Sequence, residues 1–327
     1  MRDIAPVSLV DTVAALRAGH LDLHEHVDAL LDRIEALDAT LLAVLPEPGR
    51  RERLHADAAD LLERYPDPAT PPEAPATARP PALPPASSPL ALGTQTIGSI
   101  IRPAAFCGVA GFVPTYGCIP ADGTLHVSRS LDRVGPFAGD AAGILLAAAA
   151  LISRWHPVGG APRPVLGVAD GPFLEAAEPA ARELFERQVD ILAAAGYQVR
   201  RELVFEDAEE VAQSLRRLMN GEFAREHAAL FERYQDRYRP QTAGGIEQGI
   251  SASGSPWPNL PWSYVRLPAV AIPAGAIGEL PVGLQLVGGW HADEELLEWA
   301  VALGRDLGFP TLPAPAHQPR PQSFTWW

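Results

Sequence analysis

Between Pro66 and Pro89 the chain is dominated by proline and alanine, and no other feature restricts its fold as strongly. Such a stretch has almost no large side chain to bury. Its prolines also lack the backbone N–H groups that helices and sheets use, so it favours extended polyproline conformations. The 327 residues therefore divide into an N-terminal helical segment, residues 1–65, a linker, residues 66–89, and a core that must be assembled from residues 90–327. A chain of this length can bury a sizeable hydrophobic interior.

On either side of the linker the apolar spacing is regular. From Ser8 to Leu45 apolar residues recur at helical intervals, with Val27, Leu30, Leu31, Ile34 and Leu37 on one stripe, which predicts an amphipathic helical hairpin docked on something larger. Another helix is predicted from Arg51 to Tyr65. Beyond Leu90 a Gly/Thr/Ser-rich loop, an apolar segment from Phe106 to Phe112 and a turn at Pro114–Gly117 come first. Helices are predicted at Ala138–Arg154, Glu178–Ala195 (stopped by Gly196), Ala208–Tyr234 and Asp293–Leu307. Strands are predicted at Pro164–Val168 and Tyr197–Val204, and two short apolar segments, Ala269–Ile272 and Gly283–Val287, are separated by Gly and Pro turns. Strands alternating with helices imply an α/β fold with a mixed sheet.

Composition narrows the partners. The formal net charge is −14 and arginine is scattered, so a nucleic-acid backbone is an unsuitable ligand. The longest apolar run, Ala141–Ile152, falls short of the roughly 18–20 residues that span a bilayer and reads as a buried helix. The N-terminus lacks a secretory pattern, and two cysteines, Cys107 and Cys118, make neither a disulfide framework nor a metal cluster, so a reducing cytoplasm is expected. The nine histidines show no metal-ligand spacing, and His24 and His26 face different ways on one helix. Neither a metal nor a cofactor is expected. Cys107 reads as a buried core residue and Cys118 as a structural thiol without a basic partner.

The stretch Leu92-Gly93-Thr94-Gln95-Thr96-Ile97-Gly98-Ser99-Ile100-Ile101-Arg102-Pro103-Ala104-Ala105-Phe106-Cys107-Gly108 closely resembles the core of the amidase signature. Gly111-Phe112-Val113-Pro114-Thr115-Tyr116-Gly117 and Ser130-Leu131-Asp132-Arg133-Val134-Gly135-Pro136 resemble the next two blocks in order and spacing. Further similar blocks are Ala193–Val199, Leu267–Gly275 and Leu280–Gly288, and the N-terminal helices resemble the family's opening helices. The resemblance implies an amidase-signature α/β fold with a mixed β-sheet core flanked by helices, and it puts Ser99 at the nucleophile position. Thr96, Ile97 and Gly98 form a small-residue loop whose N–H groups could converge on an oxyanion or substrate carbonyl.

The same resemblance exposes what is missing. The family's base is a buried, neutral lysine relayed through a second serine about two dozen residues before the nucleophile, and all 26 basic residues here are arginine. Arginine stays protonated and cannot replace that base. The interval that should carry the lysine and relay serine is the linker, whose Ser87 and Ser88 lie too close to Ser99. A second contraction follows Gly249, where Trp257, Trp262 and Tyr264 cluster and either cover an opened core or line an aromatic pocket. Ser253 and Ser255, beside it, read as a polar turn.

Two functions remain. One is a degenerate amidase-signature protein, weak or inactive in amide hydrolysis, that binds a small amide or carboxyl ligand or pairs with another subunit or a second copy of itself. The other is an active amidase, esterase or acyl-transfer enzyme that uses Ser99 with a non-lysine base, for which His126 with Asp132 as orienting group is the candidate. Asp132 also reads as a loop-fixing residue, and His227 as a packing or pocket residue.

Overall fold

The computed structural model describes residues 8–41, 47–64, 89–159, 161–204, 207–250, 265–278 and 280–309. Most of the expected linker and the aromatic cluster after Gly249 lie outside the described residues. The N-terminal helices are α1 (Leu9–Arg17), α2 (Leu23–Leu41) and α3 (Arg50–Arg64). Ser8 caps α1 by accepting the Asp11 N–H, as serine does at helix starts.

The core runs β1 (Leu90–Gln95), α4 (Ile101–Cys107), β2 (Ala110–Val113), β3 (Arg133–Ala138) and α5 (Ala141–Leu151). It continues with β4 (Val165–Asp170), α6 (Pro172–Glu175), α7 (Pro179–Ala194), β5 (Gln198–Leu203) and α8 (Ala208–Tyr234). A short 3-10 turn (Gln235–Arg237) leads to α9 (Pro240–Ile250), β6 (Ala269–Ile277), β7 (Leu280–Val287) and α10 (Asp293–Leu307). The α/β architecture expected from the sequence is present. Its antiparallel and parallel pairings occur in separate sheets: a five-stranded antiparallel sheet in the order β1-β3-β2-β6-β7, and a parallel β4-β5 pair.

Burial on both faces explains why the central strands read as unbroken apolar runs. Along β6, Val270, Ile272 and Ala274 pack with Phe112 and with Leu296, Leu297 and Leu303 of α10, whereas Ala269 and Ala271 pack with Ile100, Ile101 and Ala104 at α4. Helices α5 and α10 thus cover one face and α4 covers the other. Close approach on the α4 side depends on Gly283 of β7, where a Cβ would lie 2.7 Å from that of Ala105. Between β2 and β3, a Cβ on Gly135 would lie 2.0 Å from the Phe112 carbonyl oxygen, so only glycine fits.

Three readings of the sequence change. The Gly/Thr/Ser-rich loop after Leu90 begins as strand β1, because its backbone pairs along its whole length with β3. The apolar segment 106–112 is the end of α4, a turn and β2 rather than one element. Cys107 is exposed rather than core. In α4 the residues facing the sheet are Ile101 and Ala104, and Phe106 and Cys107 fall on the opposite side.

Candidate functional site

The turn carrying Ser99 joins the buried edge of β1 to α4. Gln95, 2% exposed, turns its side-chain oxygen back under this turn and accepts the N–H groups of Ile100 and Ile101 at 2.9 and 3.0 Å. These donors would otherwise be unsatisfied at the start of the helix. Arg102 N–H donates to the Gly98 carbonyl at 2.9 Å and closes the first turn. Among the described residues no acceptor takes the N–H of Gly98 or Ser99, and none bonds the Ser99 hydroxyl, which is exposed.

Ile97 and Leu131 pack with Ala212 and Leu215 of α8 and fix the turn from beneath. Thr96 fixes it from the side, donating its hydroxyl to Asp132 Oδ1 at 2.6 Å. The other Asp132 oxygen accepts the N–H groups of Val127 and Ser128 at 2.8 and 3.1 Å and lies 3.1 Å from His126 Nδ1. Asp132 therefore closes its own loop and also orients His126, and both side chains are buried. The structure brings Thr96, Asp132 and His126 into one network. No hydrogen bond joins Ser99 to His126 among the described residues.

Helix α8 supports this network through Glu222 and His227. Glu222 accepts the Ser128 hydroxyl at 2.6 Å and the Ser130 N–H and hydroxyl, both at 3.0 Å. Burial works to raise its carboxyl, but the bonds from Ser128 and Ser130 outweigh it and hold the group below its usual range. His227 is buried, with Nε2 3.1 Å from the His126 carbonyl and Nδ1 3.0 Å from the Tyr238 hydroxyl, so it locks the backbone beneath His126.

Behind Asp132 lies a small cavity of about 190 Å³, lined by Thr115, Tyr116, His126, Arg129, Asp132 and Arg133 among others, but not by Ser99. Arg133 is 3% exposed and donates from Nη1 to the carbonyls of Pro114 and Leu267 at 3.2 and 2.7 Å. Burial lowers its guanidinium to about 10, which leaves it protonated at neutral pH and unable to act as a base. Gln95, Glu222 and Arg133 are residues whose roles sequence reasoning did not assign, although Gln95 and Arg133 fall inside the signature-like blocks.

The family model described as Amidase matches residues 85–247. Over 58 residues the chain is 53% identical to the A subunit of glutamyl-tRNA(Gln) amidotransferase from Methanobrevibacter smithii, a match covering 18% of this chain and 13% of that protein. The corresponding protein of Acidobacterium capsulatum is 36% identical over 129 residues, covering 33% of this chain and 26% of that protein. Both matches span far less than two thirds of the relatives' length. A crystal structure described as an amidase superposes with a TM-score of 0.75 at 22% identity, covering 92% of this chain and all of that one, which shows a shared fold. No helix among the described residues is long and apolar enough to cross a membrane. Signature blocks, family match and shared fold converge: the chain belongs to the amidase family.

Proposed function

We propose that this chain is an amidase-family protein that binds a small amide or carboxyl ligand at the 96–99 turn and carries out little or no Ser-Ser-Lys hydrolysis. The observation that carries this reading is the state of Ser99: an exposed hydroxyl with no hydrogen-bonded base among the described residues, in a sequence without lysine. An unactivated serine is a weak nucleophile at neutral pH. The turn itself remains suited to binding, because Gln95, Thr96 and the Ile97 packing hold it in place while no acceptor among the described residues takes the Gly98 and Ser99 N–H groups. The relatives named as amidotransferase A subunits support a role beside a second protein. The free thiols of Cys107 and Cys118 support a reducing, cytoplasmic setting.

A second reading, an active amidase, esterase or acyl-transfer enzyme, is favoured by one observation. His126 and Asp132 form the base-and-orienter half of a Ser-His-Asp arrangement at 3.1 Å. The experiment is a panel of small aliphatic and aryl amides and esters given to the protein, Ser99→Ala and His126→Ala, with fluorophosphonate labelling of each. The first reading expects no labelling and the same background rate in all three. Turnover and labelling abolished in both variants would replace it with the second.

A further inference from the structure

Away from the Ser99 turn, Thr115 gathers a thiol, an imidazole and a carboxylate from two distant segments. Its N–H donates to Asp293 Oδ1 at 2.7 Å and its hydroxyl to Asp293 Oδ2 at 2.5 Å. The same hydroxyl oxygen accepts the His291 N–H at 3.2 Å, and the Thr115 carbonyl accepts the Cys118 N–H at 3.1 Å. Cys118 Sγ lies 4.0 Å from His291 Nδ1, and one donor atom each from Cys118, His291 and Asp293 falls within 4.8 Å of the others.

Those separations suit a tetrahedral ion. Bonds of about 2.3 Å to sulfur and about 2.0 Å to nitrogen require an S···N distance of about 3.5 Å, which the Cys118 and His291 side chains reach by a small rotation. Asp293 is 3% exposed and already fixed by Thr115, while Cys118 is half-buried and His291 exposed, so an ion has a rigid anchor and an open approach. His291 sits at φ +55°, a conformation uncommon for any residue but glycine, and it is in that conformation that its ring nitrogen meets Cys118.

We propose that Cys118, His291 and Asp293 form a binding site for a soft divalent cation of the zinc type, which clamps the Pro114–Gly117 turn to the start of α10. One thiolate, one imidazole and one carboxylate form a donor set that selects such an ion over magnesium or calcium. Burial first, and then the Asp293 and Glu294 carboxylates, push the unbound Cys118 thiol up to about 11, so it is no nucleophile at neutral pH. The same carboxylates favour a bound cation. Binding exchanges the thiol proton for the metal, giving a Cys118 thiolate–metal bond and one released proton, with the fourth position left to water.

The test is titration of chelator-treated full-length protein with Co(II) as the probe, followed by displacement with Zn(II). The site predicts a thiolate-to-cobalt absorption band that saturates at one equivalent, persists in Cys107→Ser and vanishes in Cys118→Ser. His291→Ala, at an exposed position and with its fold checked by circular dichroism, is expected to weaken binding at least about tenfold. Zn(II) should raise the melting temperature of the wild type and not that of His291→Ala. No band in the wild type, a band retained in Cys118→Ser, or unchanged affinity in His291→Ala would each overturn the proposal.

Discussion

Thr96 donates its hydroxyl to Asp132 at 2.6 Å, and this bond joins the turn that carries Ser99 to the loop that carries His126. Because Asp132 also accepts two backbone N–H groups, it is the junction of the site. An asparagine there turns one acceptor into a donor facing those N–H groups. Asp132→Asn should lower unfolding stability by about 3 kcal/mol in urea titrations, and Thr96→Val by about 1 kcal/mol. Equal losses in the two variants would mean that the backbone bonds to Asp132 contribute nothing.

Gln95 offers a more local test. Among the described residues its side-chain oxygen is the partner of the N–H groups of Ile100 and Ile101, and all three residues are buried. Gln95→Ala should cost about 2 kcal/mol and sharply accelerate hydrogen exchange at those two amides. Slow exchange that persists in the variant would show that the turn holds its shape without the glutamine.

Two glycines should respond with opposite sign. At Gly135 an added Cβ would lie 2.0 Å from the Phe112 carbonyl oxygen, so Gly135→Ala must push β2 and β3 apart and should prevent stable folding. Gly304 lies within α10 with nothing within 4 Å of an added Cβ, and Gly304→Ala should stabilise the protein by about 0.5–1 kcal/mol through helix propensity alone. Thermal melts of the two variants check both.

How much of this was legible in the sequence depended on whether the information was local. Helix α5 was visible because Ala141–Leu151 is apolar on every side, and the end of α7 because Gly196 follows it. Strand β1 was not, since Ala91 and Gly93 have low strand propensity and are held extended by pairing with Phe137 and Gly135 of β3. The blocks that hold Thr96 and Asp132 were recognisable and Asp132 reads as loop-fixing, but nothing in the sequence joined the two residues. The grip of Glu222 on Ser128 and Ser130 was not: it joins positions more than ninety residues apart, and a glutamate on a long helix ordinarily signals only a solvated face. The Thr115–Asp293 pair, 178 residues apart, was hidden for the same reason.

That hidden glutamate gives the site an acid-sensitive support. Burial alone would raise the Glu222 carboxyl, yet the bonds from Ser128 and Ser130 bring it below its ordinary value of 4.5. A carboxylate whose folded value is depressed adds stability that is fully present above the unfolded value and is lost as pH falls through the folded one. Asp293 acts in the opposite direction: burial raises its carboxyl from 3.8, so its contribution favours the folded state on the acid side and fades as pH rises through the folded value. The net acid slope mixes these two with the depressed carboxyls of Asp28, Glu47 and Glu226, and Glu222→Gln removes only the Glu222 part. Urea midpoints measured from neutral pH down to about pH 3 should show the wild type more stable than Glu222→Gln above pH 4.5, with the gap closing below it. A constant gap across that range would mean that Ser128 and Ser130 bind the protonated carboxyl as well as the carboxylate, and that the acid response of the site lies elsewhere.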